Sequence, residues 1–269
     1  MTHPETGQIW ILHRVVKDGE DSSHFAANKA LAIEESRLEG LIRQFRADGY
    51  VFVSLDEACR MQENPGKQKY VCITLDDGYK DNFQNAYPLF KRLDVPFTVY
   101  VSSGFIDRKA NLWWYWIENL YKRDSSVDFD SLHDIFIKMG PQQISDYLCR
   151  TYPDYLAWNL QAQNRLALTE HELAQMAADP LCTIGIHTVS HCCLDYMNEA
   201  EQRREIEECR KRLEGIIGRP VVHLSYPYGH YNDVTEKVCR GLGLRSTTNS
   251  WGGPMRRGES MTSASRTKV

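Results

Sequence analysis

The 269-residue sequence contains no run of about 18 apolar residues, so no membrane-spanning helix is expected. Its first stretch, MTHPETGQIW, lacks the basic start and apolar core of a signal peptide, and a cytoplasmic protein is the expectation. No segment repeats, which excludes solenoid and propeller arrays. Lysine and arginine form no patch-like run and the formal net charge is −4, so there is no electrostatic footprint for nucleic acid. Eight cysteines are present but no repeated CxxC spacing. Cys72, Cys182 and Cys209 sit in apolar or helical contexts, and the set reads as reduced thiols rather than a disulfide frame. Cys192 and Cys193, beside His191, read as small packing residues rather than zinc ligands.

What is present is a folded, soluble composition, 42% hydrophobic and 25% charged. The stretch VCITLDDGY (71–79) reads as a buried strand running into two adjacent carboxylates, Asp76 and Asp77, and then Gly78. An Asp-Gly turn is common after a strand, but this is also how a parallel α/β barrel presents carboxylates at strand carboxyl ends. Neighbouring strand residues face opposite ways, so the two Asp are not expected to share one task.

In chain order, residues 9–15 predict a buried strand interrupted by His13, and residues 37–48 an amphipathic helix closed by Gly49. Short strand 50–53 leads to a capping box at Ser54 and Glu57. Strand 71–75, a helix over about 81–93 and strand 97–103 continue the alternation. Residues 107–168 break it with no strand pattern, which predicts a mostly helical insertion. Its Trp113, Trp114, Tyr115 and Trp116 suit either sugar stacking or helix packing. A second capping box at Thr169 and Glu172, strand 181–186, a long helix from Glu199 to Ile217, strand 221–225, a helix over 233–242 and strand 244–248 follow. The tail from Gly252 reads as a loop with room for one short strand. The whole predicts a single domain over 1–269: a distorted (β/α) barrel of about seven strands with a helical insertion at about 107–168.

Two further motifs stand at strand ends. His187 and His191 in HTVSH are spaced to share one metal ion. Ser225-Tyr226-Pro227-Tyr228-Gly229 predicts a tight loop that aims a backbone N–H into the same face. In a parallel barrel all three motifs open on one face. One carboxylate with two histidines suits a divalent ion with open positions, and the other carboxylate stays free to take a proton.

TLDDG, HTVSH and SYPYG, in this order, resemble the three leading motifs of the polysaccharide deacetylases (carbohydrate esterase family 4, the NodB-homology domain), over roughly 9–106 and 169–251. The resemblance implies a distorted (β/α) barrel and hydrolysis of an N-acetyl group on an amino sugar, with release of acetate. It implies Asp76 as general base and Asp77, His187 and His191 as ligands of a divalent metal, usually zinc, with cobalt, nickel, iron or manganese as other candidates. It implies the Tyr228 backbone N–H as oxyanion donor. The family's third-motif arginine, which orients the base, is missing; Ser225 stands there, so that function is absent or supplied elsewhere. No histidine follows His230, so the C-terminal acid histidine is also missing. Ile11-Leu12-His13 on the first strand fits a circular rearrangement that makes His13 the general acid, with His230 as the alternative. Trp251 is the candidate for a pocket-lining tryptophan, though Asn249 and Ser250 replace its acidic companions, and Tyr226 is a further candidate for substrate contact. The expected partner is an N-acetylated sugar or glycan. A deacylase of a small non-glycan amide and a metal-free carbohydrate-binding module remain as rivals, the second opposed by the intact Asp77, His187 and His191.

Overall fold

A computed structural model of the chain describes residues 5–20, 23 and 26–269. Seven strands build its barrel: β1 (Glu5–Leu12), β2 (Tyr70–Leu75), β3 (Phe97–Val101), β4 (Cys182–Ile186), β5 (His223–Ser225), β6 (Ser246–Gly252) and β7 (Ala264–Lys268). Each pairs in parallel with the next. β7 then closes on β1 through Trp10 opposite Thr267 and Ile11 opposite Lys268. Two short strands are added at the margins: Val51–Phe52 beside β2, and Met255–Arg256 antiparallel to β1.

The two-residue period of a strand sorts these side chains into an outer and an inner set. Val71, Ile73 and Leu75 of β2, Phe97, Val99 and Val101 of β3, and Ile184 and Ile186 of β4 join one core. There they meet Leu38, Ile42, Leu89, Phe90, Leu173, Met176, Ile206, Leu213 and Val238 from the surrounding helices. The alternate residues Ile9, Tyr70, Cys72, Tyr100 and Ala264 form a second cluster with Met255 and Met261. At Gly185 a β-carbon would stand 2.3 Å from the Tyr100 ring, so glycine is what lets this aromatic fit. Further along the same strands the even phase turns polar, with Thr74 followed by Asp76, and Ala264 by Arg266. The barrel therefore carries apolar filling along most of its length and polar residues at its carboxyl end.

Local signals behave as their chemistry predicts. Ser54 accepts from the Glu57 N–H at 3.2 Å and starts helix Leu55–Glu63. Thr169 with Glu172, and Asn198 with Glu201, make reciprocal caps on the helices they precede. Such a cap contributes about 1 kcal/mol. The strand expected over 9–15 is divided: β1 ends at Leu12 and a separate strand, Arg14–Val16, pairs with Ala32–Glu34. The helix expected from 81 opens with a widened π turn, Asn82–Ala86. Its Asn82 and Asn85 side chains donate to the carbonyls of His13 and Val15, both at 2.8 Å, which ties this turn to the stretch that follows β1.

Between Ile106 and Thr169, ahead of the helix Glu170–Ala177 that leads to β4, the chain forms four helices of eight or more residues: Trp113–Arg123, Phe129–Phe136, Pro141–Thr151 and Tyr155–Leu166. Their apolar residues make a core of their own around Trp116, Phe136, Leu148 and Tyr155. The four-aromatic run is thus chiefly a packing element, with Trp113 and Trp116 at 2% and 0% exposure.

Candidate metal and catalytic centre

Asp76 keeps the inward phase of β2. Asp77 does not continue the strand, because its φ of 76° turns the chain. Thr188, His191 and Tyr228 also hold left-handed φ values of 63°, 56° and 60°. Each costs a non-glycine residue roughly 1–2 kcal/mol. Strain of this kind persists where surrounding structure over-determines it, and here it gathers on the loops that carry the three motifs.

The turn at Asp77 delivers its Oδ1 to 3.2 Å from His187 Nε2 and 3.1 Å from His191 Nε2, with all three side chains almost fully buried. His187 Nδ1 lies 2.8 Å from the Ser225 carbonyl, which can only accept, so Nδ1 carries the hydrogen. His191 Nδ1 is 3.1 Å from the Tyr228 hydroxyl. In the neutral ring the first bond leaves the His187 Nε2 lone pair facing Asp77 Oδ1, and the Tyr228 hydroxyl can accept from His191 Nδ1 to give the same tautomer there. Burial opposes ionisation of Asp77, but the two imidazoles outweigh it and hold its carboxyl well below the usual carboxylate range. Burial likewise opposes charge on His187, yet Asp77 and Asp76 raise its pKa. The pocket thus favours a cation. Two imidazoles and one carboxylate, converging and otherwise unsatisfied, fit a divalent ion with open positions.

Asp76 has a different partner. Arg266 Nη1 and Nη2 stand 2.7 and 2.6 Å from Asp76 Oδ1 and Oδ2, in a bidentate pair with side chains 0% and 2% exposed. The guanidinium also donates to Ser225 Oγ at 2.8 Å, to Thr74 Oγ1 at 3.2 Å and to the Asn249 carbonyl. Ser225 Oγ in turn lies 3.2 Å from Asp76 Oδ2. Burial alone would raise the Asp76 pKa; Arg266, with help from His187, holds it below the ordinary value. The small Ser225 leaves room for a guanidinium that enters from β7.

Asp76, Asp77, His187 and His191 form the floor of a cavity of about 350 Å³. His13 lies beside Asp76 and Asp77; burial lowers its pKa, partly offset by both carboxylates. His230 lines the same cavity and is held by Asp195 at 3.1 Å. Trp113, Trp114, Phe129 and His133 from the helical segment complete the wall. The Trp114 ring is centred 5.0 Å from that of His191, and Trp113 stacks on Tyr228 at 6.2 Å. A larger cleft of about 550 Å³, bordered by Arg14, Lys80, Glu118 and Arg165, contains no residue of the three motifs.

Two expected contacts fall outside this floor. Tyr226 follows inward-facing Ser225 and so points outward. It is fully buried, donates to Thr247 Oγ1 at 2.8 Å and stacks on Tyr231 at 4.8 Å, which rules out substrate contact. Trp251 is 47% exposed and sits edge-on to His230 at 5.7 Å, at the rim rather than in the lining. Arg266, the Tyr228 hydroxyl and His133 are what sequence reasoning missed; Trp113 and Trp114, for which it leaves stacking and packing both open, line the cavity wall. No local pattern in ASRTK signals Arg266.

Residues 63–247 match the sequence model described as polysaccharide deacetylase. YxkH of Bacillus subtilis (strain 168), placed by its name among polysaccharide deacetylases, is 22% identical over 246 residues, covering 91% of this chain and 68% of YxkH. The Streptococcus pyogenes deacetylase PplD, solved in complex with acetate, superposes with a TM-score of 0.69 at 20% identity, over 100% of this chain and 93% of PplD. IcaB from Ammonifex degensii gives the same TM-score at 17% identity, again over 100% and 93%. Both share the fold. With more than half of its length matched by the family's sequence model, the chain belongs to the polysaccharide deacetylase family.

Proposed function

We propose that this protein is a metal-dependent hydrolase that removes N-acetyl groups from an amino sugar of a polysaccharide or glycoconjugate and releases acetate. Family membership supports hydrolysis of carbohydrate acetyl groups. One observation carries the finer reading: Asp77 Oδ1 and two imidazole Nε2 atoms converge beside a second carboxylate that an arginine holds apart from them.

Asp77, His187 and His191 would hold the ion, with zinc the first expectation. When bound it supplies Lewis acidity to the acetamide carbonyl and makes water more acidic. Asp76 is ionised at neutral pH and is fixed by Arg266 and Ser225, so it takes the proton of the attacking water. The Tyr228 backbone N–H, on its left-handed turn, is the donor to the developing oxyanion. His13 gives a proton to the leaving amine. Its lowered pKa favours a neutral ring at rest, so the proton it gives is the one Asp76 takes from the attacking water, passed on to the ring, and Asp76 returns to its ionised form. The aromatic wall of Trp113, Trp114 and Phe129 suits the apolar face of a sugar ring and its acetyl methyl.

Acetate release, measured on N-acetylated oligosaccharides and on small N-acetyl amides with metal added back, tests this reading. Acetate from the oligosaccharides is expected. Release from the small amides alone would make the protein an amidohydrolase of another class. No release from any substrate by metal-loaded protein would overturn the reading.

A further inference from the structure

Beyond the Asp77 cluster, the loops around the cavity bring together a second group of metal-type donors. Cys193 Sγ lies 3.1 Å from Asp195 Oδ1, and His230 Nδ1 lies 3.1 Å from Asp195 Oδ2. The three donor atoms all fall within 4.8 Å of one another. A tetrahedral zinc ion holds sulfur, nitrogen and oxygen donors about 3.5 Å apart, so small side-chain shifts would seat one. We propose that Cys193, Asp195 and His230 form a second metal site, of zinc type, at the rim of the cavity, in place of the packing role expected of Cys193 from the sequence.

The donor chemistry selects the ion. A thiolate and an imidazole with one carboxylate favour zinc and its neighbours over calcium or magnesium, which take oxygen ligands. The fold supplies the donors from two fixed turns. Asp195 sits in the 3-10 turn Leu194–Tyr196, and His230 closes the 3-10 turn Pro227–Gly229. The Asn232 side chain donates to the Asp195 carbonyl at 3.3 Å and holds one turn against the other. Cys192, the adjacent thiol, packs into the main core and is not a donor. Cys193 is buried, while the Asp195 and His230 side chains are 23% and 41% exposed, so an ion has a path in from solvent.

The present hydrogen bonds then describe the protonated form of the site. Binding displaces the Cys193 thiol proton to solvent, forms metal–sulfur, metal–oxygen and metal–nitrogen bonds, and leaves the fourth position to water. The bound ion would clamp the stretch that follows His191 to the stretch that follows Tyr228. Those two residues already meet, their rings centred 4.7 Å apart. The second ion thereby braces the loops that frame the first. The proposal requires no particular substrate or reaction.

Cobalt(II) titrated into the metal-free 269-residue chain tests it. Two bound equivalents are expected, with a thiolate-to-cobalt charge-transfer band in the near ultraviolet. The Asp77, His187 and His191 cluster contains no sulfur and cannot produce that band. Cys193→Ser should abolish the band and leave one equivalent, which also reports that the variant is folded. Asp195→Asn, which keeps the thiol, should lose the second equivalent, and Asp77→Asn should keep the band. Saturation of the wild type at one equivalent with no band would overturn the proposal, leaving a hydrogen-bonded pair of turns. A band that survives Cys193→Ser would overturn it as well, since another cysteine would then be the ligand.

Discussion

Arg266 reaches across the barrel from the last strand and binds both carboxylate oxygens of Asp76, at 2.7 and 2.6 Å. The family resemblance places a base-orienting arginine in the third motif, where this chain has Ser225. The Ser225 hydroxyl lies 2.8 Å from the Arg266 guanidinium, 41 residues away in sequence, so the charge returns to the same carboxylate from another strand. Arg266→Lys keeps a charge but loses the bidentate fork. It should lower kcat by about tenfold or more, part of the roughly 10²–10⁴-fold that general-base catalysis contributes. Because Arg266 depresses the Asp76 pKa, its loss raises that pKa, and the acid limb of the kcat/KM profile should move to higher pH. The exchange Ser225→Arg with Arg266→Ser should recover part of the lost rate. An unshifted acid limb in Arg266→Lys would show that the pair is only structural.

The same pair sets acid stability. A carboxyl held below its unfolded value of about 3.9 contributes stability that is complete above that pH. That stability is lost as pH falls through the lower folded value. Arg266→Met strands a buried carboxylate and should destabilise the fold at neutral pH by about 3–5 kcal/mol. Urea melts at neutral pH, compared between wild type and variant, check this.

Removal of metal should abolish acetate release, and readdition of zinc or cobalt should restore it. Asp77→Asn should prevent restoration, since it removes the carboxylate on which both imidazoles converge. An ion that binds only the native state also raises stability, by about 2.7 kcal/mol at a hundredfold excess over Kd. A melting temperature that rises with metal in wild type and less in Asp77→Asn is the companion measurement.

The two cavity histidines make opposite predictions. His13 lies beside Asp76 and Asp77, whereas His230 is held away by Asp195. His13→Ala should lower kcat by about 10²-fold or more with metal retained, while His230→Ala keeps the larger part of turnover. Collapse of turnover in His230→Ala alone would reverse the assignment of the acid.

The Tyr228 hydroxyl gives a smaller effect of a different kind. Its bond to His191 Nδ1 orients a proposed ligand, and such partners typically contribute 10–100-fold in metal affinity. Tyr228→Phe should weaken metal binding by about tenfold and leave the rate of fully loaded enzyme less affected. Competition with a chelator of known affinity measures it.

The strand-end motifs were legible because strand, turn residue and ligand lie within a few positions of one another. The barrel was legible because its strands are apolar on both faces and alternate with well-capped helices. Arg266 was not: ASRTK is short and mostly polar, and nothing local distinguishes a lumen-facing arginine from a solvated one. Its meaning comes from closure of β7 on β1, a contact between the two ends of the chain. Tyr226 was misjudged for a related reason, since the motif drew attention to neighbours without fixing which of them faced inward. The Trp113/Trp114 wall depends on how the inserted helices fold back over the barrel, which the aromatic run could not specify.

The most direct test of the central claim, that Asp76 is the base while Asp77 holds the metal, is Asp76→Asn assayed for acetate release and bound metal together. Metal content equal to wild type with turnover lowered by about 10²–10⁴-fold is predicted. Turnover at the wild-type rate, or loss of the metal with the base, would contradict it.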